Sequence, residues 1–400
     1  MAEGKDSFVG KGGGKRNRGV LCYVRMKKRF LVGLDGHALG QEQGGNESYL
    51  FGLLEGINEI SPPEFQFLLF LAGEKKPIIP FSGGLDFETE KISLQPFRRL
   101  FFDLPRQTFL KRLDLLHTQY HLPVVSRCPE VITLHDVSFL RYSQLIPKRE
   151  YWKMKSSVGY AVRKAKKVIT VSEFSRKEIL FFYRLKPEKV EVIYNGISKK
   201  FVPVSAEKRA AVLGKYGITK PYVFSVASLH PRKNFSRLIL AFVSLCSHRE
   251  GFDYNLVLGG RNLWLYEEIL AKARHSRYKD RIIFTGYLPD EDLSALYSFA
   301  EVFVYPSLYE GFGFAPMEAM ACGCPVVTSN ISALPEVTGG AAILVDPQDV
   351  DAIAKGILDV ITNPELKKGM RERSLDRAQK FTWADSAEKA LQVYEEILRR

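Results

Sequence analysis

Two glutamates eight positions apart lie in a segment that suits the binding of a hydroxylated ligand. Glu310 falls in a glycine-bearing loop, and Glu318 falls one to two turns into the helical pattern that follows. A carboxylate accepts hydrogen bonds from adjacent hydroxyl groups, such as those of a ribose or a hexose. The alternative is that Glu318 pairs with a cation, but residues 301–350 contain no Lys or Arg. The pair therefore indicates a sugar or ribose site.

The loop between the two glutamates contains Gly311, Phe312 and Gly313. Glycines let a ligand approach the backbone closely, and the helix predicted from about Ala315 directs free N–H groups towards an anion. We therefore predict that these three residues line the same site.

Two adjacent cations, Arg232 and Lys233, follow the apolar run Tyr222–Val226 and precede the predicted helix Ser236–Phe242. Cations at a helix N-terminus oppose the helix dipole unless an anion offsets them. A diphosphate would do so, because Arg makes forked contacts and Lys supplies a point charge. A solvated basic loop is the alternative.

Three further candidates lie in the first half of the chain. Gly45 belongs to a glycine pair before a predicted helix, where a phosphate site and an ordinary flexible loop are equally good explanations. His117 and His135 end neighbouring predicted strands, and Asp136 can orient the His135 ring or cap the next segment. A single histidine is more often structural, but the carboxyl ends of parallel strands meet at one edge of a sheet.

Several acidic and hydroxyl residues are predicted to begin helices. Asp290 and Asp292 match an Asp-x-Asp metal pattern, but N-capping and dipole compensation explain them, as they explain Asp349. Ser172 is a predicted N-cap, with a second capping box at 175–178. We predict no metal and no cofactor.

Short apolar runs alternate with longer helical patterns throughout the chain, which is typical of parallel strands joined by helices. The sequence therefore predicts two successive doubly wound parallel sheets. The predicted strands are Phe30–Leu34, Phe67–Leu71, Leu113–His117, Val131–His135, Lys167–Val171, Lys189–Ile193, Tyr222–Val226, Asn255–Leu258, Arg281–Phe284, Val302–Tyr305, Pro325–Thr328 and Ala342–Leu344.

The composition divides the chain into five parts. We predict a disordered basic extension at 1–27, a domain at 28–200, a linker at 201–218, a second domain at 219–382 and a final helix at 383–400 that returns to the first domain. A start at Met26 would leave a complete first domain.

The net charge of +13 is confined to the first half, where residues 1–200 hold 34 Lys/Arg and 21 Asp/Glu, while residues 201–400 hold 24 of each. This asymmetry fits an anionic partner or a plain solvated surface equally well. The clusters Arg163–Lys167 and Phe97–Phe102 mix cations with apolar residues, as a surface that touches acidic lipids would. The longest apolar run, Phe65–Ala72, is too short to span a bilayer.

The five cysteines lack the spacing of a zinc site, so we predict that their thiols are reduced. We expect Cys322 and Cys324 to lie in the core.

Taken together, these residues resemble family 4 of the retaining glycosyltransferases, which have the GT-B architecture: an α/β fold of two Rossmann-like doubly wound domains facing across a cleft. The resemblance covers nearly all of the chain from about Lys28, and Glu310-x7-Glu318 is its most specific mark. It is greatest to bacterial mannosyltransferase-like members that build surface polysaccharides. Counterparts there match Gly-Gly-Asn-Glu-Ser-Tyr, Ile-Thr-Leu-His-Asp, Val-Ser-Glu-Phe-Ser-Arg and Pro-Arg-Lys-Asn of this sequence.

The resemblance implies a nucleotide-sugar-binding second domain and an acceptor-binding first domain. Residue by residue, it implies ribose binding by Glu318, sugar contacts by Glu310, diphosphate binding by Arg232 and Lys233, loop closure at Gly45, base contacts at Leu288 and an active-site histidine at His135. His117 and Asp136 are acceptor-side candidates from their position at the predicted strand ends. The segment Phe314–Met317 departs from the Leu-Pro-Pro-Leu of many relatives, which leaves the donor sugar open.

The implied activity is retaining, metal-independent transfer of a hexose from a nucleotide diphosphate-sugar to a glycan or lipid-linked acceptor. Mannose from GDP-mannose is favoured, with UDP-hexoses next, and the implied location is cytoplasmic with a possible contact to an anionic membrane. The alternatives are an epimerase-like or phosphorylase-like enzyme of the same plan, a catalytically silent relative, and a basic nucleic-acid-binding protein. The last is disfavoured because the cations lack interleaved aromatics on a recognisable reading module.

Overall fold

The computed structural model describes residues 29–41, 44–73, 87–263 and 266–399. The predicted basic extension at 1–27 lies outside these ranges. Within them, the chain forms two separate parallel β-sheets covered by helices, as the sequence predicts.

The first sheet has seven parallel strands in the order β3-β2-β1-β4-β5-β6-β7. Its strands are β1 (Phe30–Gly36), β2 (Phe65–Ala72), β3 (Glu88–Ile92), β4 (Leu115–Gln119), β5 (Glu130–Thr133), β6 (Lys167–Thr170) and β7 (Val190–Val192). The sequence did not predict β3, because this edge strand is mostly charged and buries only Ile92.

The second sheet has six parallel strands in the order β10-β9-β8-β11-β12-β13. They are β8 (Tyr222–Val226), β9 (Asn255–Gly259), β10 (Ile282–Gly286), β11 (Val302–Tyr305), β12 (Val326–Ser329) and β13 (Ile343–Val345), each within one or two residues of its prediction. Strand order reverses beside β1 and β8, and ligands bind at such switch points in open α/β sheets.

Fifteen α-helices connect the described strands. They are α1 (Gly45–Ile60), α2 (Pro96–Arg98), α3 (Leu104–Leu110), α4 (Ser138–Arg141), α5 (Lys148–Lys164), α6 (Glu173–Tyr183), α7 (Arg209–Lys215), α8 (Phe235–His248), α9 (Glu267–Arg274), α10 (Asp290–Phe299), α11 (Phe314–Ala321), α12 (Leu334–Thr338), α13 (Val350–Thr362), α14 (Pro364–Ala378) and α15 (Trp383–Leu398). A π-helical turn, Arg99–Asp103, joins α2 to α3. No helix of the described residues is long and apolar enough to cross a bilayer.

The helix starts partly follow the sequence. Ser172 caps α6 by accepting a hydrogen bond from the backbone N–H of Ser175, and Asp349 caps α13, as predicted. The predicted second capping box is wrong, because the Glu178 carboxylate binds Arg141 instead. No side chain caps α10, whose N-cap residue is Pro289, although its acidic first turn still complements the helix dipole.

The segment predicted as a linker contains a helix and packs on the second sheet's domain. Phe201 contacts the ring of Tyr297, with 6.2 Å between ring centroids, and Ile218 is buried in the same apolar cluster. Cys322 and Cys324 are also buried there, with free thiols.

The last helix, α15, packs on α1 of the first domain. Gly52 of α1 makes this contact possible, because a Cβ atom there would overlap the ring of Trp383. The chain crosses between the domains at two adjacent places, where the Ile197 N–H donates to the Phe381 carbonyl at 2.9 Å.

Candidate active site

A cleft of about 1530 Å³ lies between the two domains. Six of the predicted site residues line it: Gly45, Asp136, Arg232, Lys233, Leu288 and Glu318. Gly45 begins α1 and faces Phe314 across the cleft. A Cβ atom added to Gly45 would lie 3.8 Å from the Phe314 ring, which is an ordinary van der Waals contact. The cleft therefore joins both halves of the predicted site.

Glu310 lies behind this wall and holds the two cations in place. Its carboxylate is 2.5 Å from Lys233 Nζ and 3.4 Å from Arg232 Nη1, and it also accepts hydrogen bonds from the hydroxyls of Ser307 (2.6 Å) and Tyr305 (3.0 Å). Burial opposes its ionisation, but the charges of Lys233 and Arg232 outweigh burial and lower the pKa of Glu310 to about 2. An ionised carboxylate thus offsets the cation pair before any ligand binds.

Arg232 and Lys233 occupy a short turn before α8 rather than the first turn of the helix itself. Asn234 ends the turn with a left-handed backbone (φ 63°), and its amide donates to the carbonyls of Pro306 (2.9 Å) and Pro347 (2.6 Å). The Arg232 guanidinium donates to the Tyr309 carbonyl. The cation turn and the glycine-bearing loop are therefore one hydrogen-bonded unit.

Glu318 is half-buried on α11 and faces the cleft. It accepts a hydrogen bond from the Tyr297 hydroxyl at 3.1 Å, and burial raises the pKa of Glu318 to about 7. A carboxylate with a single neutral donor retains acceptor positions for the hydroxyls of a ligand.

The loop residues Gly311, Phe312 and Gly313 are buried at the domain contact and do not line the cleft. A Cβ atom on Gly311 would overlap the backbone carbonyl of His135. The Gly311 carbonyl accepts hydrogen bonds from the hydroxyls of Ser172 (2.6 Å) and Ser175 (3.2 Å) of the first domain. Sequence reasoning treated both serines as helix caps only, because a contact over more than 130 positions leaves no local signal.

His135 is buried beside the cleft rather than on its wall. Its Nε2 lies 2.8 Å from Gln119 Oε1, its ring meets Tyr49 edge-on, and burial lowers its pKa to about 4. The His135 carbonyl accepts a hydrogen bond from Ser175 Oγ at 3.0 Å. The imidazole is therefore neutral near pH 7 and fixed in orientation.

His117 does not face the cleft, so the structure does not support its assignment to an acceptor side. Its ring nitrogens lie 2.6 Å from the Tyr394 hydroxyl of α15 and 2.8 Å from Thr133 Oγ1, and burial lowers its pKa to about 3. Asp136 does line the cleft, while its Oδ1 accepts from the Ser138 N–H at the start of α4.

The acidic pair at the start of α10 is engaged by cations. Asp290 pairs with Lys200 at 3.3 Å, and Asp292 pairs with Lys215 at 2.5 Å and accepts from the Tyr216 hydroxyl at 2.6 Å. Across the described residues, no group of three or more His, Cys, Asp or Glu side chains is arranged to hold a metal ion.

Two facing parallel sheets with a cation pair and a half-buried carboxylate at their shared cleft define the class of protein as a GT-B glycosyltransferase. The fold matches sucrose-phosphate synthase from Thermosynechococcus elongatus (TM-score 0.73, 22% identity, 93% of this chain and 100% of that one). It also matches the Anabaena protein HepE in complex with UDP-glucose (TM-score 0.71, 18% identity, 92% of this chain and 100% of that one).

The sequence narrows this class to a family. Residues 72–201 match the profile described as Glycosyltransferase Family 4, and residues 210–377 match Glycosyl transferases group 1. O-antigen chain mannosyltransferase B of Escherichia coli is 34% identical over 265 residues, which cover 66% of this chain and 69% of that protein. The chain belongs to glycosyltransferase family 4, as the resemblance implied. These matches favour glycosyl transfer over the epimerase-like and nucleic-acid alternatives.

Proposed function

We propose that this chain transfers a hexose, with mannose favoured, from a nucleotide diphosphate-sugar to a glycan or lipid-linked acceptor during surface polysaccharide synthesis, with retention and without a metal. The observation that carries the proposal is the Arg232–Lys233 pair on the cleft wall, which Glu310 holds and whose cleft Glu318 also lines. The mannosyltransferase name of the E. coli relative supports the sugar, and the UDP-glucose complex of HepE supports the donor class.

The leaving group of such a donor is a nucleoside diphosphate, and the main chemical task is to stabilise its developing charge. Arg232 and Lys233 supply two cations on the cleft wall. Their hydrogen bonds to Tyr309 and Glu310 fix them in advance, so they need little reorganisation during reaction. Glu318 accepts hydrogen bonds from the ribose hydroxyls, and Leu288 contacts the base.

Retention requires that the new bond to the anomeric carbon forms on the face from which the diphosphate leaves. In the proposed step, the acceptor oxygen bonds to that carbon, the bond to the phosphate oxygen breaks, and the acceptor proton passes to the departing phosphate. The His135 imidazole is neutral and hydrogen-bonded to Gln119, so we assign it no ionised role. Its backbone carbonyl and that of Gly311 both accept hydrogen bonds from Ser175 Oγ, which positions the loop.

We base metal independence on Arg232 and Lys233, the two cations on the cleft wall, which can stabilise part of the diphosphate charge without a divalent ion. The acidic pair Asp290 and Asp292, which imitates a metal motif, is already bound by Lys200 and Lys215.

Product analysis tests these points together. The enzyme is incubated with the acceptor octyl mannoside and either GDP-mannose or one of a panel of UDP-hexoses, with and without EDTA. The anomeric configuration of the new glycosidic bond is read by NMR. We expect release of nucleoside diphosphate with GDP-mannose, insensitivity to EDTA and an anomer that matches the donor. If no donor yields a nucleoside diphosphate, the chain is a catalytically silent relative and the proposal is refuted.

We also propose that the first domain docks on an anionic membrane through an exposed patch on the segment 96–112. This aromatic patch consists of Phe97, Phe101, Phe102 and Phe109, which are 46–64% exposed, flanked by the exposed cations Arg98, Arg106 and Arg112. The segment carries five Lys/Arg and one acidic residue, which complements acidic headgroups.

Cosedimentation with vesicles tests the docking. Vesicles of phosphatidylglycerol mixed with phosphatidylcholine should bind the protein, and pure phosphatidylcholine should bind much less. Serine at both Phe97 and Phe102 should abolish binding, whereas Phe181→Ser, which alters an equally exposed phenylalanine on α6, should not. Equal losses in both variants would contradict the assignment.

A further inference from the structure

The first-domain end of the cleft contains a second polar group that the donor site does not use. His37, Arg99 and His121 line this end, and Asp35 lies directly behind them. We call these four residues the Arg99 pocket. The Asp35 carboxylate is 3.0 Å from His37 Nδ1 and 3.7 Å from Arg99 Nε.

Arg99 lines the cleft although the residue is only 3% exposed, which is unusual for an arginine. The Nδ1 of His121 is buried with no hydrogen-bond partner among the described residues. Arg99 Nε also makes no hydrogen bond there, and it lies 3.7 Å from Asp35 Oδ2, which is unsatisfied as well. A buried donor without a partner is costly, so such groups mark a place where a ligand completes the hydrogen bonds. Asp35, itself 2% exposed, holds the guanidinium from behind.

A tight turn places the neighbouring side chains. The His121 N–H donates to the Gln119 carbonyl at 2.6 Å, which leaves Tyr120 at the turn's centre with a φ of 59°. A bulky residue in the left-handed region carries backbone strain, and such strain concentrates at binding sites. The turn directs Gln119, Tyr120 and His121 together to the cleft wall.

The pocket offers more donors than acceptors. A guanidinium has five N–H donors and no acceptor, and each neutral imidazole has one of each. Burial and the charge of Arg99 lower the pKa of His121 to about 4, so that ring is neutral near pH 7. The acceptor oxygens of Asp35 are turned towards His37 and Arg99. A ligand rich in acceptors, such as a phosphate, therefore fits better than a sugar hydroxyl.

Apolar residues line the same cleft as the Arg99 pocket, and exposed phenylalanines belong to the same segment as Arg99. The π-helical turn buries Arg99 while Phe97, Phe101 and Phe102, in the same segment, remain exposed. The apolar residues that share this cleft are Leu94, Pro96, Phe139, Leu145, Ile146 and Met154. A phosphate with a hydrocarbon chain attached would find partners for both parts.

We propose that the Arg99 pocket binds the phosphoester of a lipid-linked acceptor, so that the acceptor sugar reaches the donor across the cleft. This inference rests on the proposed function and selects a phosphate-bearing lipid acceptor over a free glycan. Asp35 is a positioning residue, and Arg99 is the specificity determinant for the phosphate.

Two acceptor mimics that differ only in the phosphate test the inference: octyl mannoside and mannosyl octyl phosphate. For the native enzyme, the KM of the phosphorylated acceptor should be the lower of the two. Arg99→Gln should raise that KM about tenfold or more, because a charge-assisted contact is lost, and leave the KM of octyl mannoside and of the donor unchanged. Arg99→Lys, which keeps the charge but not the fork, should give an intermediate value.

Arg399→Gln is the control, since the Arg399 side chain is 64% exposed and lies outside both the cleft lining and the aromatic patch. It should leave both acceptor KM values unchanged, and thermal melting checks that each variant folds. Inorganic phosphate should compete with the phosphorylated acceptor, whereas competition with the donor alone would place phosphate at Arg232 and count against the pocket.

An equal effect of Arg99→Gln on both acceptors, or no effect on either, overturns the inference while donor hydrolysis still supports the proposed function. If the native enzyme hydrolyses no nucleotide-sugar donor, the proposed function itself is refuted.

Discussion

Replacing Glu310 by Gln should destabilise the fold while strengthening the binding of a free nucleoside diphosphate. The folded-state pKa of Glu310 is about 2, against 4.5 for an ordinary glutamate, a difference of about 2.5 units. At about 1.4 kcal/mol per unit, the ionised carboxylate contributes roughly 3 kcal/mol at neutral pH. Its folded pKa is depressed, so this contribution is complete above pH 4.5 and is lost as the pH falls from 4.5 towards 2.

The amide of the variant leaves the half-buried Lys233 and Arg232 without their nearest opposing charge, so that Asp136 is the carboxylate that remains near them. The free energy of unfolding should fall by about 3 kcal/mol, a shift of roughly 6 °C or more in Tm for a domain of this size. A diphosphate then supplies the missing charge, so GDP should raise the Tm of the variant by more than that of the native enzyme.

Differential scanning calorimetry with and without GDP measures both effects. Glu268→Gln is the control, because the Glu268–Lys272 pair has a similar distance of 2.7 Å but a carboxylate side chain 71% exposed. It should change Tm by very little. An equal change in the two variants, or a smaller GDP response in Glu310→Gln, would refute the proposed balance of charges.

Three other changes follow from the structure. The KM for the donor should rise as the pH falls below about 7, because protonation of Glu318 removes its charge. This pH dependence should disappear in Glu318→Gln. A donor KM that does not change with pH in the native enzyme would contradict the prediction. Gly311→Ala should lower kcat at least tenfold and open the molecule in small-angle scattering, because the new methyl group overlaps the His135 carbonyl; unchanged scattering and kcat would show that the closed contact is dispensable. Gly52→Ala should lower the free energy of unfolding by about 1–3 kcal/mol, because the new methyl group overlaps the Trp383 ring. Gly214→Ala, whose methyl group meets nothing within 4 Å, should be neutral or stabilising. The opposite order of stabilities in urea unfolding would contradict this packing.

The sequence predicted the second sheet almost residue by residue, because its buried parallel strands are short apolar runs with clear ends. It missed β3 at the edge of the first sheet, where Glu88, Glu90 and Lys91 mask the strand pattern. Hydrophobic periodicity reports burial, and an edge strand has little of it.

The candidate site shows the same division between local and distant information. Arg232 and Lys233 could be found because they lie between β8 and α8, and Glu318 because it lies in α11, the helix that follows β11 and its glycine-bearing loop. The ion pair between Lys233 and Glu310 joins positions 77 residues apart, and no local pattern records it. The sequence placed both His117 and His135 at strand ends, but His117 lies in the middle of β4 and His135 lies two residues beyond β5. The helix α15 covers His117 through Tyr394, which no local pattern reveals.

Arg99 was hidden in a different way. It lies in a run of cations and phenylalanines whose composition predicts an exposed surface. The π-helical turn nevertheless buries Arg99, while its neighbour Arg98 remains exposed. Side-chain direction within an irregular turn depends on the backbone conformation, which the composition of the segment does not specify.

The paired crossings between the domains set how this enzyme can open. Because the chain passes between the domains near Ile197 and again near Phe381, and a hydrogen bond joins the two crossings, both connections share one hinge line. Rotation about that line is the motion that stretches neither connection. A cut between 201 and 208 would sever one connection only, and the return of α15 to the first domain would keep the two fragments together as a noncovalent pair.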